Sequence, residues 1–267
     1  MNLQEEIETL LEGFAFQEGK AFKDCKISAL CQDLSSGEPS VSIEPHRAAP
    51  SASVIKVPIL LCALQTELEG RLSLDDLVDV RKEDILDDSD IFDSGPRKAS
   101  ILELLTWMII KSDNTSTNAL IELLGFKAVS EYAQSIGMKK TALSRKMLDF
   151  QAVSQGRDNF TSASDMLRLF KNLFSSTILS PQHCSLAIRI LRKQRDNSML
   201  SRYIWQDDVK IAHKTGGLKY LSHDCGVLSW PSRDVYLGVF IHQAAGIKGN
   251  PRLIGEIAKR VYERFKP

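Results

Sequence analysis

The chain has 267 residues, of which 43% are hydrophobic and 25% are charged, so it can bury a full core as one large domain or as two interleaved ones. Its 34 basic and 34 acidic residues give a formal net charge of zero, which argues against a nucleic-acid partner. No apolar run approaches the length of a membrane span, so we expect a soluble protein. Composition leaves the oligomeric state open.

The N-terminus and the cysteines indicate the compartment. The first residues, MNLQEEIETLLEGFAFQ, carry acids where a signal peptide carries basic residues. We therefore expect a cytoplasmic protein, or an exported one if a leader has been removed. The cysteines are dispersed and lack CxxC spacing, which predicts buried reduced thiols and neither a zinc site nor a disulfide framework. They are Cys25, Cys31, Cys62, Cys184 and Cys225. We expect no metal and no cofactor.

The first third of the chain predicts a helix, a hairpin and a second helix. Apolar residues recur at helical spacing with acids between them over residues 3–17. Two short β-like runs at 26–34 and 40–43 are joined by a polar link containing glycine, which favours a hairpin. Residues 53–69 predict a long helix, in which Pro58 is tolerable because it falls in the first turns.

The middle of the chain is helical in character. Ser100 predicts the N-cap of an apolar helix over residues 101–110, and a further helix is expected over 116–124. Ser164 is a candidate cap for a helix over 165–174. We therefore expect a helical region of several short helices joined by polar turns.

The end of the chain turns β-like before a final helix, which suggests how the whole chain is arranged. Its apolar runs and amphipathic helix fall at 209–213, 225–230, 235–242 and 252–265. We predict a two-part α+β fold, in which residues 1–50 and 209–267 form an antiparallel sheet flanked by the N- and C-terminal helices. Residues 51–208 would form an inserted all-α domain. The active site is expected in the cleft between the two parts.

Three short motifs are the most informative feature of the chain. They are Ser53-Val-Ile-Lys56, Ser112-Asp-Asn114 and Lys214-Thr-Gly216, in that order. A serine and a lysine three residues apart share one face of a helix, which places a weak nucleophile beside a possible base. The second motif adds a hydroxyl and a carboxamide, and the third a cation beside a hydroxyl. Together they are suited to acyl transfer without a histidine.

With these motifs in this order, the chain resembles the class A β-lactamases and penicillin-binding serine hydrolases over most of its length. Ser53-Val-Ile-Lys56-Val-Pro resembles the start of the family's nucleophile helix. Ser112 falls between two predicted helices, and His213-Lys214-Thr215-Gly216-Gly217 continues a predicted strand, as in the family. Each motif alone occurs by chance in many proteins, whereas the three together are specific. The resemblance implies a β-lactamase/transpeptidase-like fold.

The resemblance also implies a role for each motif residue. Ser53 would attack the substrate carbonyl and pass its proton to Lys56, whose pKa would be lowered by burial and by the charge of Lys214. Ser112 would relay a proton to the leaving nitrogen. The oxyanion hole would consist of the backbone N–H groups of Ser53 and Gly217. The substrate-binding residues would be Asn114 for the side-chain amide, and Lys214, Thr215 and Gly216 for the carboxylate.

The loop predicted over residues 140–160 departs from the family. In class A enzymes a glutamate in this loop activates the water that hydrolyses the acyl-enzyme. Here Met147 takes its place, and a thioether cannot act as a base. Gln151 stands where the family has an asparagine, whereas Arg145 and Asp158 remain as a candidate ion pair closing the loop.

Asp149 is the one local candidate for a substitute deacylation base, because it is the only carboxylate between Arg145 and Arg157. The alternative is that Asp149 is an ordinary loop acid that caps a turn. Without a base, the equipment for acylation is complete while the equipment for deacylation is missing or displaced. An acyl-enzyme formed with a β-lactam would then persist.

Two further positions are compared with the family. His223 falls where many class A enzymes carry an arginine that binds the substrate carboxylate. A histidine is only partly charged near pH 7, so anion binding there would be weaker and pH-dependent, and a structural histidine is the alternative. His213 is expected to be structural. The acidic stretch 84–93 predicts a solvated loop, in which Phe92 would overhang the cleft as an aromatic does in the family.

The sequence supports three functions. The first is a β-lactamase-like serine hydrolase that forms an acyl-enzyme at Ser53 with β-lactams or related amides, with slow deacylation because of Met147. The second is a D-alanyl peptidase, amidase or esterase of the same family. A penicillin-binding protein without efficient turnover is a further alternative. The third is a binding module, a covalent or non-covalent sensor without physiological turnover, which the retention of Lys56, Ser112 and Lys214 argues against. In each case the partner is a small-molecule substrate.

Overall fold

The computed structural model describes residues 1–19, 22, 24–205, 207–244 and 250–267. The helices are α1 (Leu3–Glu18), α2 (Lys56–Leu68), α3 (Ile101–Ile110), α4 (Asn114–Leu124), α5 (Phe126–Ser135), α6 (Phe150–Ser154), α7 (Ala163–Phe174), α8 (Pro181–Leu191) and α9 (Asn250–Phe265). The strands are β1 (Lys26–Asp33), β2 (Val41–Ile43), β3 (Ala49–Pro50), β4 (Leu77–Val80), β5 (Arg97–Ser100), β6 (Phe160–Thr161), β7 (Lys210–Leu218), β8 (Leu221–Trp230) and β9 (Arg233–His242). Turns of 3₁₀ helix lie at Ala52–Ile55, Lys82–Asp84 and Asp90–Phe92.

The main sheet is assembled from both ends of the chain. It has five strands in the order β2-β1-β9-β8-β7, and each neighbouring pair is antiparallel. In the β1–β9 pair Lys26 lies opposite His242, and in the β7–β8 pair Lys214 lies opposite Cys225. Because β7 is an edge strand, one of its sides is open to the rest of the molecule. The predicted α+β class is confirmed.

The two faces of the sheet are covered by different parts of the chain, as the alternation of strand side chains requires. Along β9, Val239 and Ile241 face a core built from α1 and α9. The intervening side chains Tyr236 and Phe240 belong to the core of the helical region. The Tyr236 hydroxyl donates to the carbonyl oxygen of Ala163, at 3.0 Å, and so fixes the start of α7 against the sheet.

The helical region is organised around α2. This helix is apolar on all sides and buried along most of its length, which is typical of a helix inside a core. Ser100 caps α3 as predicted, accepting from Glu103 N at 3.2 Å. The cap of α7 is Ser162 and not Ser164, because the helix already begins at Ala163, and Ser162 accepts from Asp165 N at 3.2 Å. The Ser164 hydroxyl lies in the first turn and contacts His46 Nδ1 at 2.9 Å.

Several elements differ from those expected. The predicted loop over 140–160 contains the short helix α6 and the start of β6. Strand β7 extends to Leu218 and β8 begins at Leu221, so the third motif lies inside a strand and not at its end. Within the described residues, no helix is long and apolar enough to cross a membrane.

Candidate active site

Ser53 lies on a strained turn that leads into α2. It belongs to the 3₁₀ turn Ala52–Ile55, and Lys56 begins the α-helix that follows. Ala52 has φ 44°, in the left-handed region that residues with a Cβ adopt at a cost of about 1–3 kcal/mol. The turn is held from outside by Ser51, whose N–H donates to the carbonyl oxygen of Asn159 at 2.8 Å. Ser53 itself is half-buried.

Lys56 is fully buried and reaches the second motif. Its Nζ lies 2.6 Å from Ser112 O, 2.7 Å from Asn114 Oδ1 and 3.1 Å from Ser112 Oγ. Burial first, and then the charge of Lys214, hold the pKa of Lys56 well below its usual range, although Asp113 and Asp88 oppose the shift. Two of its three contacts are carbonyl oxygens, which only accept. A neutral amine can donate to both and still offer its lone pair to a proton.

Ser112 stands between two lysines. Its Oγ lies 3.1 Å from Nζ of Lys56 and accepts from Nζ of Lys214 at 3.0 Å. The backbone of Ser112 has φ 57°, which is again costly for a residue with a Cβ. With Lys214 as the donor, the hydroxyl hydrogen of Ser112 remains available for transfer. The Ser112 hydroxyl thus bridges the side-chain nitrogens of the two lysines.

Lys214 is fully buried on the edge strand β7. Its Nζ also donates to the carbonyl oxygen of Thr215 at 2.8 Å. Burial lowers the pKa of Lys214 to about 8, and the nearby carboxylates of Asp224 and Asp196 oppose that shift. Lys214 therefore retains most of its positive charge at pH 7, whereas Lys56 tends toward the neutral amine.

Asn114 begins α4, where Asp113 is the N-cap that accepts from Ser116 N at 2.6 Å. Oδ1 of Asn114 accepts from Lys56, and its Nδ2 donates to Asp88 Oδ2 at 2.6 Å. Asp88 and Ser89, whose hydroxyl donates to Asp113, therefore contact the second motif directly. They belong to the stretch that was predicted to be a solvated loop, and no periodicity or spacing in the sequence indicates these contacts.

The two glycines of the third motif have different surroundings. A Cβ built on Gly216 would lie 3.1 Å from Val54 Cγ2 and 3.2 Å from the backbone nitrogens of Ser53 and Val54. A Cβ built on Gly217 would meet nothing within 4 Å. Gly216 therefore lets β7 approach the Ser53 turn closely, and Gly217 follows on the open side. This approach places Gly216, the neighbour of Gly217, against the backbone nitrogen of Ser53.

The loop below the site is closed by the predicted ion pair. Arg145 Nε lies 2.7 Å from Asp158 Oδ1, with both side chains largely buried. Within the loop, Asn118 accepts from Met147 N at 2.7 Å and donates to Met147 O at 3.3 Å, so the backbone of Met147 is tied to α4. The Met147 side chain is 7% exposed and belongs to the helical core. Gln151 is exposed on α6.

The structure favours the capping alternative for Asp149. Its Oδ1 accepts from Ala152 N at 2.9 Å, and Asp149 is the N-cap of α6. The Asp149 carboxylate is engaged through Oδ1 with the first turn of its own helix, as expected of a loop acid that caps a turn. Its role as a substitute base stays a prediction.

His223 is likewise structural. It is fully buried, with Nε2 2.8 Å from Pro50 O and Nδ1 3.1 Å from Ile241 N. The neutral tautomer with its proton on Nε2 donates to Pro50 O and accepts from Ile241 N at Nδ1, which also lies 2.8 Å from Ser222 O. Burial lowers the pKa of His223 to about 4, so the ring is uncharged at pH 7. The expectation that it binds a substrate carboxylate is corrected, because both ring nitrogens face the main chain.

Of two other positions, His213 has the surroundings expected of it and Phe92 does not. His213 pairs with the buried Asp224, Nδ1 to Oδ1 at 2.9 Å, which agrees with a structural role. Phe92 does not overhang the cleft: it is 2% exposed and packs in the helical core, with the Arg97 guanidinium over its ring. In the part of the chain that the structure describes, no cluster of His, Cys, Asp and Glu side chains is arranged to hold a metal.

A sheet built from both chain ends, a helical region and the three motifs where they meet define a serine hydrolase of the β-lactamase type. The chain belongs to the β-lactamase enzyme family, whose model matches residues 2–265.

Similar proteins carry the same designation. The chain is 24% identical to the extended-spectrum β-lactamase PER-1 of Pseudomonas aeruginosa over 236 residues, which is 83% of this chain and 77% of that protein. It is 34% identical to a β-lactamase of Rhodobacter capsulatus over 135 residues, 49% of this chain and 45% of that protein.

Solved structures agree in fold. A penicillin G acyl-enzyme of a leucine-to-glutamate mutant of PBP-A superposes with a TM-score of 0.86 at 24% identity, covering 98% of this chain and 96% of that one. A class A β-lactamase from Bacteroides cellulosilyticus gives 0.83 at 22% identity, with 98% of each chain covered. At this level of identity the two structures show the fold alone.

Proposed function

We propose that this protein is acylated on Ser53 by β-lactams or related acyl amides, and that it releases the acyl group slowly. The observation that carries the proposal is the position of Ser112 Oγ, 3.1 Å from Nζ of Lys56 and 3.0 Å from Nζ of Lys214. One hydroxyl thereby links the candidate base to the candidate anion-binding cation.

Acylation follows from these positions. The Ser53 hydroxyl attacks the carbonyl carbon, and its proton passes to the neutral amine of Lys56. The N–H groups of Ser53 and Gly217 stabilise the oxyanion, and such donors are typically worth about 2.7–4 kcal/mol each. As the C–N bond breaks, Ser112 gives its proton to the leaving nitrogen and is reprotonated from Lys56.

Substrate binding uses the same walls of the cleft. Asn114 takes the carbonyl oxygen of the substrate's side-chain amide. Lys214 and Thr215 bind the substrate carboxylate, and Gly216 allows the strand that carries them to lie close to the Ser53 turn. Neutral His223 contributes no second cation, so we expect anionic substrates to bind more weakly than in an enzyme with an arginine there.

Slow release follows from the residue at position 147. Hydrolysis of the ester on Ser53 needs a base that removes a proton from water. Met147 provides none, and the Asp149 carboxylate is engaged by Ala152 N at 2.9 Å. PBP-A, which shares the fold, has been captured as a penicillin G acyl-enzyme in a point mutant, so a penicillin adduct on this scaffold has a precedent.

Intact-protein mass spectrometry after mixing with penicillin G tests the proposal. We expect one adduct per chain in the wild-type protein and none in Ser53→Ala. If the wild-type protein forms no adduct and hydrolyses no penicillin while its fold is intact, β-lactam recognition is wrong. If the adduct survives in Ser53→Ala, the nucleophile is wrong.

A second candidate keeps the mechanism and changes the substrate to that of a D-alanyl peptidase, amidase or esterase. Met147 favours it, because an enzyme that never needed to hydrolyse a penicilloyl ester has no use for a glutamate there. Rapid turnover of a simple ester beside a stalled penicillin adduct supports this candidate. Rapid hydrolysis of penicillin contradicts it.

A further inference from the structure

Asp88 contacts the amide nitrogen of Asn114, whereas Lys56 contacts the amide oxygen of the same side chain. The Nδ2 group of Asn114 donates to Asp88 Oδ2 at 2.6 Å, while Oδ1 of the same side chain accepts from Lys56 at 2.7 Å. The orientation of the amide is thereby set, with its nitrogen toward Asp88. Asp88 is exposed, so its carboxylate stands at the surface of the cleft beside the group that takes the substrate's amide.

The carboxylate of Asp88 has no directly paired cation among the described residues. It takes part in no salt bridge there, in contrast to Asp84 and Asp90 of the same stretch, which pair with Arg81 and Lys111. Its one side-chain hydrogen bond in that part of the chain is to a neutral amide. A carboxylate that is covered by an apolar or anionic ligand loses hydration without gaining a partner. A ligand that brings a cation supplies that partner.

We propose that Asp88 is a specificity-determining residue that selects substrates whose acyl side chain carries a protonated amine beside its amide carbonyl. This inference rests on the proposed function, in which Asn114 takes that carbonyl. An amine on the adjacent carbon lies only two bonds beyond the carbonyl carbon. When the carbonyl oxygen is at Asn114 Nδ2, the ammonium group is therefore within reach of Asp88, which contacts the same nitrogen at 2.6 Å. The substrate class is α-aminoacyl amides, including α-amino β-lactams.

Penicillin G and ampicillin form the matched pair of probes, because they differ only by the amino group on the side-chain carbon next to the amide. The experiment measures the second-order rate constant of Ser53 acylation by each drug at pH 6.5, below the usual pKa of an α-amino group, about 7.7–8. The quantity compared is the ratio of the two constants within each variant, so a variant's folded fraction cancels.

We expect wild-type protein to prefer ampicillin by about fivefold, the upper range for an exposed charge pair. Asp88→Asn should bring the ratio to about one. Asp87→Asn removes the same charge from an exposed neighbour and should leave the wild-type ratio. At pH 9, where the amine is neutral, the wild-type preference should disappear.

Three results overturn the inference. The first is equal acylation of the wild-type protein by the two drugs, and the second is a preference that persists in Asp88→Asn. The third is an equal acceleration of both drugs in Asp88→Asn, which would show that Asp88 only obstructs Asn114. Failure of the proposed function looks different, since neither drug would then form an adduct in any variant, and the inference would fall with it.

Discussion

At the scale of single residues, the site is governed by two buried lysines that share one hydroxyl. Both lose water on folding, which lowers the pKa of each, but their surroundings differ. For Lys214, the charges of Asp224 and Asp196 partly offset the effect of burial, and its pKa is about 8. Lys56 is lowered further because Lys214 adds repulsion to burial. One lysine is thus suited to accept a proton and the other to hold an anion.

This difference predicts distinct pH profiles for two kinds of substrate. Because the pKa of Lys214 is lowered to about 8, its cation is present below that pH and lost above it. Acylation by penicillin G, which has a carboxylate, should therefore fall above about pH 8. A neutral ester without a carboxylate should show no such decline. On the acid side both should fall together as Lys56 gains a proton. The measurement is the acylation rate constant for each substrate at pH values below and above the pKa of Lys214. If the rate constants for penicillin G and the neutral ester both fall above that pKa, Lys214 does not act as the carboxylate-binding cation.

A substitution at Met147 tests whether this position limits deacylation. Met147→Glu places a carboxylate in the loop at a position whose backbone N–H and carbonyl are both hydrogen-bonded to the Asn118 side chain. We expect hydrolysis of the penicilloyl ester to accelerate by about 100-fold or more, the lower range for general base catalysis. Burial of the new carboxylate should cost stability, since Met147 is 7% exposed. Met147→Gln is the control of matched size without a base, and equal adduct lifetimes in the two variants would contradict the account.

At the scale of elements, the edge strand β7 and the 3₁₀ turn of Ser53 must touch for the site to form. Both carry unusual backbone features at the contact, with Ala52 in the left-handed region and Gly216 lacking a side chain where a Cβ would crowd Ser53 N. Neither feature stabilises the fold by itself. Both allow strand β7 and the Ser53 turn to lie in close contact.

A matched pair of glycine substitutions tests this contact. Gly216→Ala forces β7 away from the Ser53 turn by a few tenths of an ångström, because the new Cβ lies about 3.1–3.2 Å from its neighbours. Misplacement on this scale should lower the acylation rate constant by about tenfold. Gly217→Ala meets nothing within 4 Å and should remain within about twofold of wild type. Similar losses of the acylation rate constant in both variants would contradict a specific role for the close contact at Gly216.

The loop that carries Met147 depends on its buried ion pair. Asp158→Asn leaves the Arg145 guanidinium unpaired at 5% exposure. The free energy of unfolding should fall by about 3–5 kcal/mol, as for other broken buried pairs. Glu122→Gln breaks the exposed pair with Lys146 and should change stability by less than about 1 kcal/mol. Chemical denaturation of the two variants measures both, and equal effects would contradict the structural role of the Arg145–Asp158 pair.

At the scale of the whole molecule, the sheet uses strands from both ends of the chain, and the helical region fills its other face. The sequence predicted this arrangement because its signals are local: alternating apolar residues in strands, helical spacing, and motifs within four residues. Ser53, Lys56, Ser112 and Lys214 are predicted as site residues from the same local signals. The fold brings Lys56 of the first motif and Lys214 of the third within 3.1 Å of Ser112 Oγ in the second.

Contacts between distant segments could not be predicted in this way. In the sequence, His223 falls at the position where many class A enzymes carry an arginine. Only the fold shows that its ring is held between Pro50 O and Ile241 N. Asp88 lies in an acidic stretch with no periodicity, and its contact with Asn114 spans 26 positions. Phe92 lies in the same stretch, and no local pattern indicates that the helical core forms around it. Each of these depends on tertiary packing and not on local pattern.

The most direct test of the central claim is the lifetime of the Ser53 acyl-enzyme formed with penicillin G at neutral pH. Intact-protein mass spectra, recorded at intervals after unbound drug has been removed, report the acylated fraction over time. We expect complete acylation, followed by persistence of the adduct for far longer than its formation takes. An adduct that clears as fast as it forms, with wild-type protein consuming penicillin G rapidly, would contradict slow release.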